Sequence, residues 1–154
     1  MLDLTRRIRR PEELDDFLKD LTAAGSAFEN MADALVYAGA LAYEHGLARR
    51  PFDKTGEQIP ATVFLNAGYD SLINMLAAEV ADDYDVLLPD RTDERLRIFE
   101  EYAAAGLYYL KDLLERDSRR PKVEVLRDLT LDAYKEKQGD YDTDFEQLLN
   151  ELEK

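Results

Sequence analysis

Apolar positions recur at intervals of three and four along most of this chain, the signature of helices with one buried face. Leu14, Phe17, Leu18 and Leu21 form the first such stripe, behind Pro11 at a first helical position and the acidic pair Glu12 and Glu13. That helix ends near Ala24-Gly25. Ser26-Ala27-Phe28-Glu29 reads as a capping box for a second helix striped by Met31, Leu35, Ala38 and Ala42, with Gly46 as its C-terminal stop. Residues 48–60 break the period with Pro51, Gly56 and Pro60, and a short strand fits near 57–59. Residues 61–66 can form a helical turn. Asp70 or Ser71 caps the next helix, whose face carries Leu72, Ile73, Leu76, Ala77 and Val80 and which stops at Asp82-Asp83. A short apolar run, 84–88, closes at Pro89.

The longest periodic segment spans 93–116, capped by Thr92. It carries two stripes: Leu96, Phe99, Ala103, Gly106, Leu110 and Leu114, and Ile98, Tyr102, Tyr109 and Leu113. A helix apolar on two sides is central. Its thin section, Ala103-Ala104-Ala105-Gly106, and Gly39 between Ala38 and Ala40 predict that these two helices cross with small patch against small patch. After Pro121, Val123, Leu126, Leu129 and Ala133 face inward on a helix that fades at Gly139. Thr143-Asp144-Phe145-Glu146 then caps a short amphipathic helix bearing Phe145, Leu148, Leu149 and Leu152. The expected architecture is all-α: a compact bundle of five to six helices with a long central one. Residues 1–10 form a basic, weakly ordered lead-in, 11–138 the helical domain and 139–154 an acidic tail.

Composition narrows the function classes. The length of 154 residues suits one domain, and 45% apolar residues suit a packed core. Cysteine is absent, which excludes disulfides, thiol nucleophiles, iron–sulfur clusters and Cys-based zinc sites. Neither a signal-peptide core nor a run of about 18–20 apolar residues occurs, so a cytoplasmic, non-membrane protein is expected. The net charge of −14 opposes general nucleic-acid binding, which needs phosphate neutralisation, and favours basic partners. Local basic patches remain at Arg6, Arg7, Arg9 and Arg10, and at Arg49-Arg50.

Candidate chemistry is sparse. His45, the only histidine, stands at a helix end, where a cation suits the dipole. Asp140, Asp142, Asp144 and Glu151 have calcium-loop spacing, but Phe145 occupies the sixth position, where the sharp turn requires glycine. Asp82, Asp83, Asp85, Asp90, Asp93 and Glu94 could in principle bind magnesium in a nuclease, yet match no two-metal spacing and read as helix-end and loop aspartates. No phosphate loop and no G-x-S-x-G elbow occurs. No catalytic residue, metal ligand or cofactor is therefore expected. Tyr108 and Tyr109 are adjacent on a helix and cannot share a face, so one is available to solvent or a partner. The C-terminal helix with Phe145, Leu148, Leu149 and Leu152 either folds back or docks into another protein's groove.

Several segments in order carry a family likeness: Arg7-Ile8-Arg9-Arg10-Pro11, then Leu35-Val36-Tyr37-Ala38-Gly39-Ala40-Leu41-Ala42-Tyr43, Arg50-Pro51-Phe52 and Gly56-Glu57-Gln58-Ile59-Pro60. Asp93-Glu94-Arg95-Leu96-Arg97-Ile98-Phe99-Glu100-Glu101-Tyr102-Ala103 and Gly106-Leu107 complete it. Together they resemble the DNA phosphorothioation-associated (Dnd system-associated) protein 4 family over roughly residues 6–115, leaving the acidic tail outside. The resemblance implies a non-enzymatic accessory subunit of a prokaryotic antiviral defence system linked to DNA modification and restriction. Its expected partners are larger subunits of that complex, an ATPase or a nuclease, with nucleic acid touched indirectly. The alternative is a small DNA-contacting regulator using the arginine-rich start. The contact residues expected are Arg6, Arg7, Arg9, Arg10, Arg49, Arg50, Tyr108, Tyr109, Phe145, Leu148, Leu149 and Leu152.

Overall fold

The computed structural model describes residues 2–152; the side chains of Tyr141, Thr143, Phe145 and Leu152 lie outside the described residues. The chain divides into two units at Glu115/Arg116. Among the described residues there are six α-helices and one two-stranded sheet: β1 (Arg7–Ile8), α1 (Asp15–Thr22), α2 (Met31–Glu44), β2 (Ile59–Pro60), α3 (Ala61–Asn66), α4 (Asp70–Ala81), α5 (Thr92–Arg116) and α6 (Lys122–Leu152). Short 3-10 turns precede α1 at Glu12–Leu14 and α5 at Tyr84–Leu87 and Pro89–Arg91. The fold is all-α with a long central helix, as the periodicity predicts. No helix among the described residues is long and apolar enough to cross a membrane.

The first unit is organised around the crossing of α2 and α5. A Cβ built on Gly106 would penetrate the carbonyl oxygen of Ala38 and lie 2.9 Å from its Cα. Only a residue without a side chain lets the two backbones meet this closely. Opposite, a Cβ on Gly39 would stand 3.2 Å from the Phe99 ring and 3.7 Å from the backbone nitrogen of Ala103. The small-residue waists therefore meet as the spacing predicts. Around them Leu35, Ala38, Phe99, Ala104 and Leu107 are fully buried, and the Phe99 ring meets Phe64 of α3 edge-on at 5.8 Å.

Helix ends are made by residues that differ in part from the expected ones. Gly46, at φ +62°, ends α2 in a Schellman turn: its N–H donates to Tyr43 O (3.1 Å) and that of Leu47 to Ala42 O (2.9 Å). The N-cap of α2 is Asn30, whose Oδ1 accepts from Asp33 N at 3.0 Å, rather than the expected capping box at Ser26. The Ser26 hydroxyl instead donates to Asp20 O, closing the turn after α1. Pro11 is not a first helical residue. It is extended (ψ 130°) and bridges Thr55. Neither Asp70 nor Ser71 caps α4 with its side chain; the helix begins at Asp70 behind Tyr69, whose hydroxyl donates to Asp33 Oδ1 at 2.6 Å.

Two larger differences concern the ends of the chain. The start, expected to be weakly ordered, is zipped to the 54–61 loop. β1 runs antiparallel to β2 with Arg7 opposite Pro60 and Ile8 opposite Ile59. The zipper continues through Ala61 N–H to Arg6 O (3.0 Å), Gly56 N–H to Arg10 O (2.9 Å) and Glu12 N–H to Lys54 O (3.0 Å). Ile8 is completely buried. Backbone pairing with a distant loop leaves no mark in local side-chain periodicity, so it escapes a reading of short windows. The strand expected at 57–59 lies at 59–60.

In the second unit, α6 is a single helix of 31 residues that passes through Gly139 instead of fading there, and Thr143-Asp144 caps no separate helix. An interior glycine costs about 1 kcal/mol relative to alanine, too little to break a helix with good formers on both sides. Within α6, Val125 and Leu126 are buried, whereas Val123, expected to face inward, is exposed.

Candidate functional site

The arginines expected to form a contact surface prove to be divided between internal and external roles. Arg9 reaches the α5 residue Glu100 three times: its backbone N–H donates to Oε1 (2.8 Å), its Nε to Oε2 (2.9 Å), and Nη2 lies 2.8 Å from Oε2. The Glu100 side chain is only 3% exposed. Burial pushes its carboxyl above the ordinary glutamate range, and the Arg9 hydrogen bonds and charge oppose that shift. The Arg9 guanidinium also stands 5.3 Å over the Phe52 ring.

Arg10 is 1% exposed and belongs to the core. Its Nε donates to Asp15 Oδ1 at 2.8 Å, one terminal nitrogen contacts the Met31 sulfur, and the other reaches Glu57 at 3.9 Å, beyond hydrogen-bond range. Asp15 in turn fills the space where a side chain on Gly56 would collide with it, so that glycine serves a close approach.

The Arg49-Arg50 loop uses the next residue of α5. Arg49 Nε and Nη2 lie 2.8 and 2.6 Å from Glu101 Oε2, while Arg50 N–H donates to the Glu101 carbonyl at 3.1 Å. The Arg50 guanidinium rests 3.3 Å from the centre of the Tyr108 ring. Tyr109 lies beside His45, ring centres 5.4 Å apart, and His45 Nδ1 is 3.1 Å from Leu41 O at the α2 terminus. Tyr108 and Tyr109 are thus both half-buried against residues of the same unit.

Reading along the chain missed Arg95. It is 1% exposed and has no carboxylate partner among the described residues. Nη2 donates to Thr92 Oγ1 (2.8 Å) and Nη1 to Leu87 O (2.9 Å), with Asn74 Oδ1 at 3.4 Å; Nε has no partner. Burial lowers its pKa. Its position on the α5 stripe boundary, one residue before Leu96, was the only available signal. Arg95 pins the 84–87 turn to α5.

In the aspartate-rich stretch 82–94, Asp83, Asp93 and Glu94 are held by cations. Arg91 binds Asp83 (2.7 Å) and Glu94 (2.8 and 3.0 Å), and these hydrogen bonds hold both carboxyls below their usual range. Asp93 pairs with Arg6 at 3.3 Å. Among the described residues no group of three or more His, Cys, Asp or Glu is placed to hold a metal ion.

Two outward-facing places bear on the expected contact residues. The first is a cleft of about 540 Å³ between the N-terminal segment and α5, lined by Arg6, Arg7, Arg9, Arg97, Asp93 and Glu100 among others. Arg7 and Arg97 are exposed there, and the Arg7 guanidinium donates to Gln58 O at 3.3 Å. The second is α6, where Leu131, Tyr134, Leu148 and Leu149 are 45%, 66%, 58% and 45% exposed. Of the expected α6 contacts, Leu148 and Leu149 are therefore open to solvent. The side chains of Phe145 and Leu152 lie outside the described residues.

The family model of DNA sulphur modification system-associated protein 4 matches residues 7–148. The match runs well beyond the expected limit near residue 115 and takes in most of α6, so that helix is part of what the family shares. No curated protein and no solved structure matches the chain.

Proposed function

We propose that this chain, which belongs to the DNA sulphur modification system-associated protein 4 family, is a non-enzymatic adaptor of a prokaryotic antiviral complex. It acts through contacts with larger protein subunits of the modification and restriction machinery. The observation that carries this reading is the exposure of Leu131, Tyr134, Leu148 and Leu149 along one long helix. Large apolar side chains grouped on one element favour a protein partner. The inward use of Arg9, Arg10 and Arg49 supports it further, because each is already matched to a carboxylate of its own unit. The test is affinity purification of the tagged chain, co-expressed with the proteins encoded beside it, at native levels. A stoichiometric complex with at least one of them is expected. A chain that elutes alone against every neighbour sinks the reading.

A second reading, direct contact with DNA, is favoured by one arrangement: Arg6, Arg7 and Arg97 converge on the same cleft. Under it, duplex binding falls with salt and the double variant R7A/R97A binds more weakly at all sequences, as phosphate contacts require. Anisotropy that does not change on adding the protein to labelled duplex at low salt eliminates it.

A further inference from the structure

The turn between α4 and α5 holds three large apolar side chains in solvent. Tyr84 is 85% exposed, Leu88 50% and Leu87 37%. Tyr84 and Leu87 stand three residues apart in a 3-10 turn, a spacing that stacks side chains on one side, and Leu88 follows directly. Val86, inside the same turn, is completely buried and anchors it. The backbone is tied as well: Asp83 Oδ1 accepts from Asp85 N (2.9 Å), Leu88 N–H donates to Asp85 O (3.0 Å), and Arg91 reaches back to Asp83 (2.7 Å). Arg95 holds the turn from beneath. Burying a guanidinium with no carboxylate to match it is costly, and what this buried cation secures is the exposed turn, because Nη1 donates to Leu87 O at 2.9 Å. Ordering a contact loop in advance lowers the entropy cost of binding, so the arrangement suits a contact surface better than a mere connection.

The charge around the turn has one sign. No lysine, arginine or histidine lies between Lys54 and Arg91, whereas Glu79, Asp82, Asp83, Asp85 and Asp90 do. Arg91 is already engaged by Asp83 and Glu94. Asp82, Asp85 and Asp90 are exposed and form no ion pair among the described residues. Phosphate is repelled from such a surface, and a second copy presenting the same patch across a two-fold axis would set acids against acids. A protein pocket with an apolar floor and a rim of lysine or arginine meets both the exposed side chains and the charge.

We infer that the 84–88 turn is a preformed knob that inserts Tyr84, Leu87 and Leu88 into an apolar, basic-rimmed pocket of a partner protein. The inference rests on the adaptor reading for the existence of that partner, and it adds a contact surface belonging to the first unit together with the partner's chemistry.

The full-length protein is titrated against each purified protein encoded beside it, as the parent chain and as Y84S/L88S, D85K/D90K and V63S, the last an exposed apolar site on α3 that serves as control. For a neighbour that binds the parent, Y84S/L88S should weaken affinity by about ten-fold or more, while V63S stays within about two-fold. D85K/D90K should weaken binding at least about five-fold at low salt and flatten its dependence between roughly 50 and 300 mM. Y84S/L88S should melt with the parent, since both side chains are at least half in solvent; if it melts lower, D85K/D90K, which removes no apolar contact, decides alone. A neighbour that binds the parent and both double variants equally overturns the inference while leaving the adaptor reading intact. A loss of equal size in V63S, tighter binding by D85K/D90K, or self-association of the parent abolished by Y84S/L88S overturns it as well. If no neighbour binds the parent, the adaptor reading falls and this inference with it.

Discussion

Gly106 and Gly139 both sit inside long helices, yet they are there on opposite terms. At Gly106 the missing side chain is the contact: the backbone of Ala38 occupies the place a Cβ would take. At Gly139 a Cβ would meet nothing within 4 Å. One glycine is required by tertiary packing and the other merely weakens a helix exposed at most positions around it. The same contrast separates the polar groups of the two units. Glu100 and Arg10 are buried and tied to specific partners, whereas the Arg120 pairs with Asp117 and Asp128 are largely in solvent, where ion pairs contribute little. The first unit is held by individual buried contacts; the helix around Gly139 is not.

The sharpest way to break this comparison is G106A. One methyl forced against a carbonyl cannot be relieved by a side-chain rotamer change, so a loss of about 3 kcal/mol or more is expected, at the upper end of overpacking. Denaturant melts of the variant check it; a change within experimental error would mean that the α2/α5 crossing is looser than described.

R9A should follow at neutral pH, with a loss of about 3 kcal/mol, because it leaves a buried carboxylate unpaired. Its size depends on pH. Glu100 titrates above its usual 4.5 in the folded chain, so its contribution is fully present below that value and is lost as pH rises through the folded pKa. Removing Arg9 takes away the opposing hydrogen bonds and enlarges that loss. The variant should therefore approach the parent at pH 4 and fall furthest behind near pH 7. Parallel melts across that range test it, and a constant difference would show that Glu100 is not the group involved.

G139A carries the smallest effect and the opposite sign. It should stabilise α6 by up to about 1 kcal/mol through helix propensity alone, visible as higher helical content with no change in the cooperative melting of the first unit. A loss of helicity would instead reveal a close approach to Gly139.

Much of the fold is legible along the chain because it is written in short-range spacing. The stripes of Leu14, Leu18 and Leu21, of Ile73, Leu76 and Ala77, and of Leu96, Phe99, Ala103 and Leu110 mark buried faces that the structure also buries. The α2 stop at Gly46 was equally readable, since a left-handed residue closing a helix favours glycine. The candidate site was less so. Arg9 and Arg10 are neighbours in the same basic run, yet one is half-buried on Glu100 and the other lies in the core on Asp15. Nothing within a few residues distinguishes them. Arg95 looked like one more charge on a helix, because the groups that accept its hydrogen bonds include a carbonyl eight residues away and an asparagine on another helix.

By itself the sequence determined where the helices lie, which faces they bury, that two small waists must meet, and that α6 carries an acidic second half. Each of these follows from residue types at intervals a helix turns into neighbours. Only the tertiary structure decided that the basic start is paired to the 54–61 loop, which arginines are consumed internally, and that α6 runs unbroken through Gly139. Those outcomes depend on partners up to 91 residues apart and on whether neighbouring turns can carry one weak position, and local spacing encodes neither.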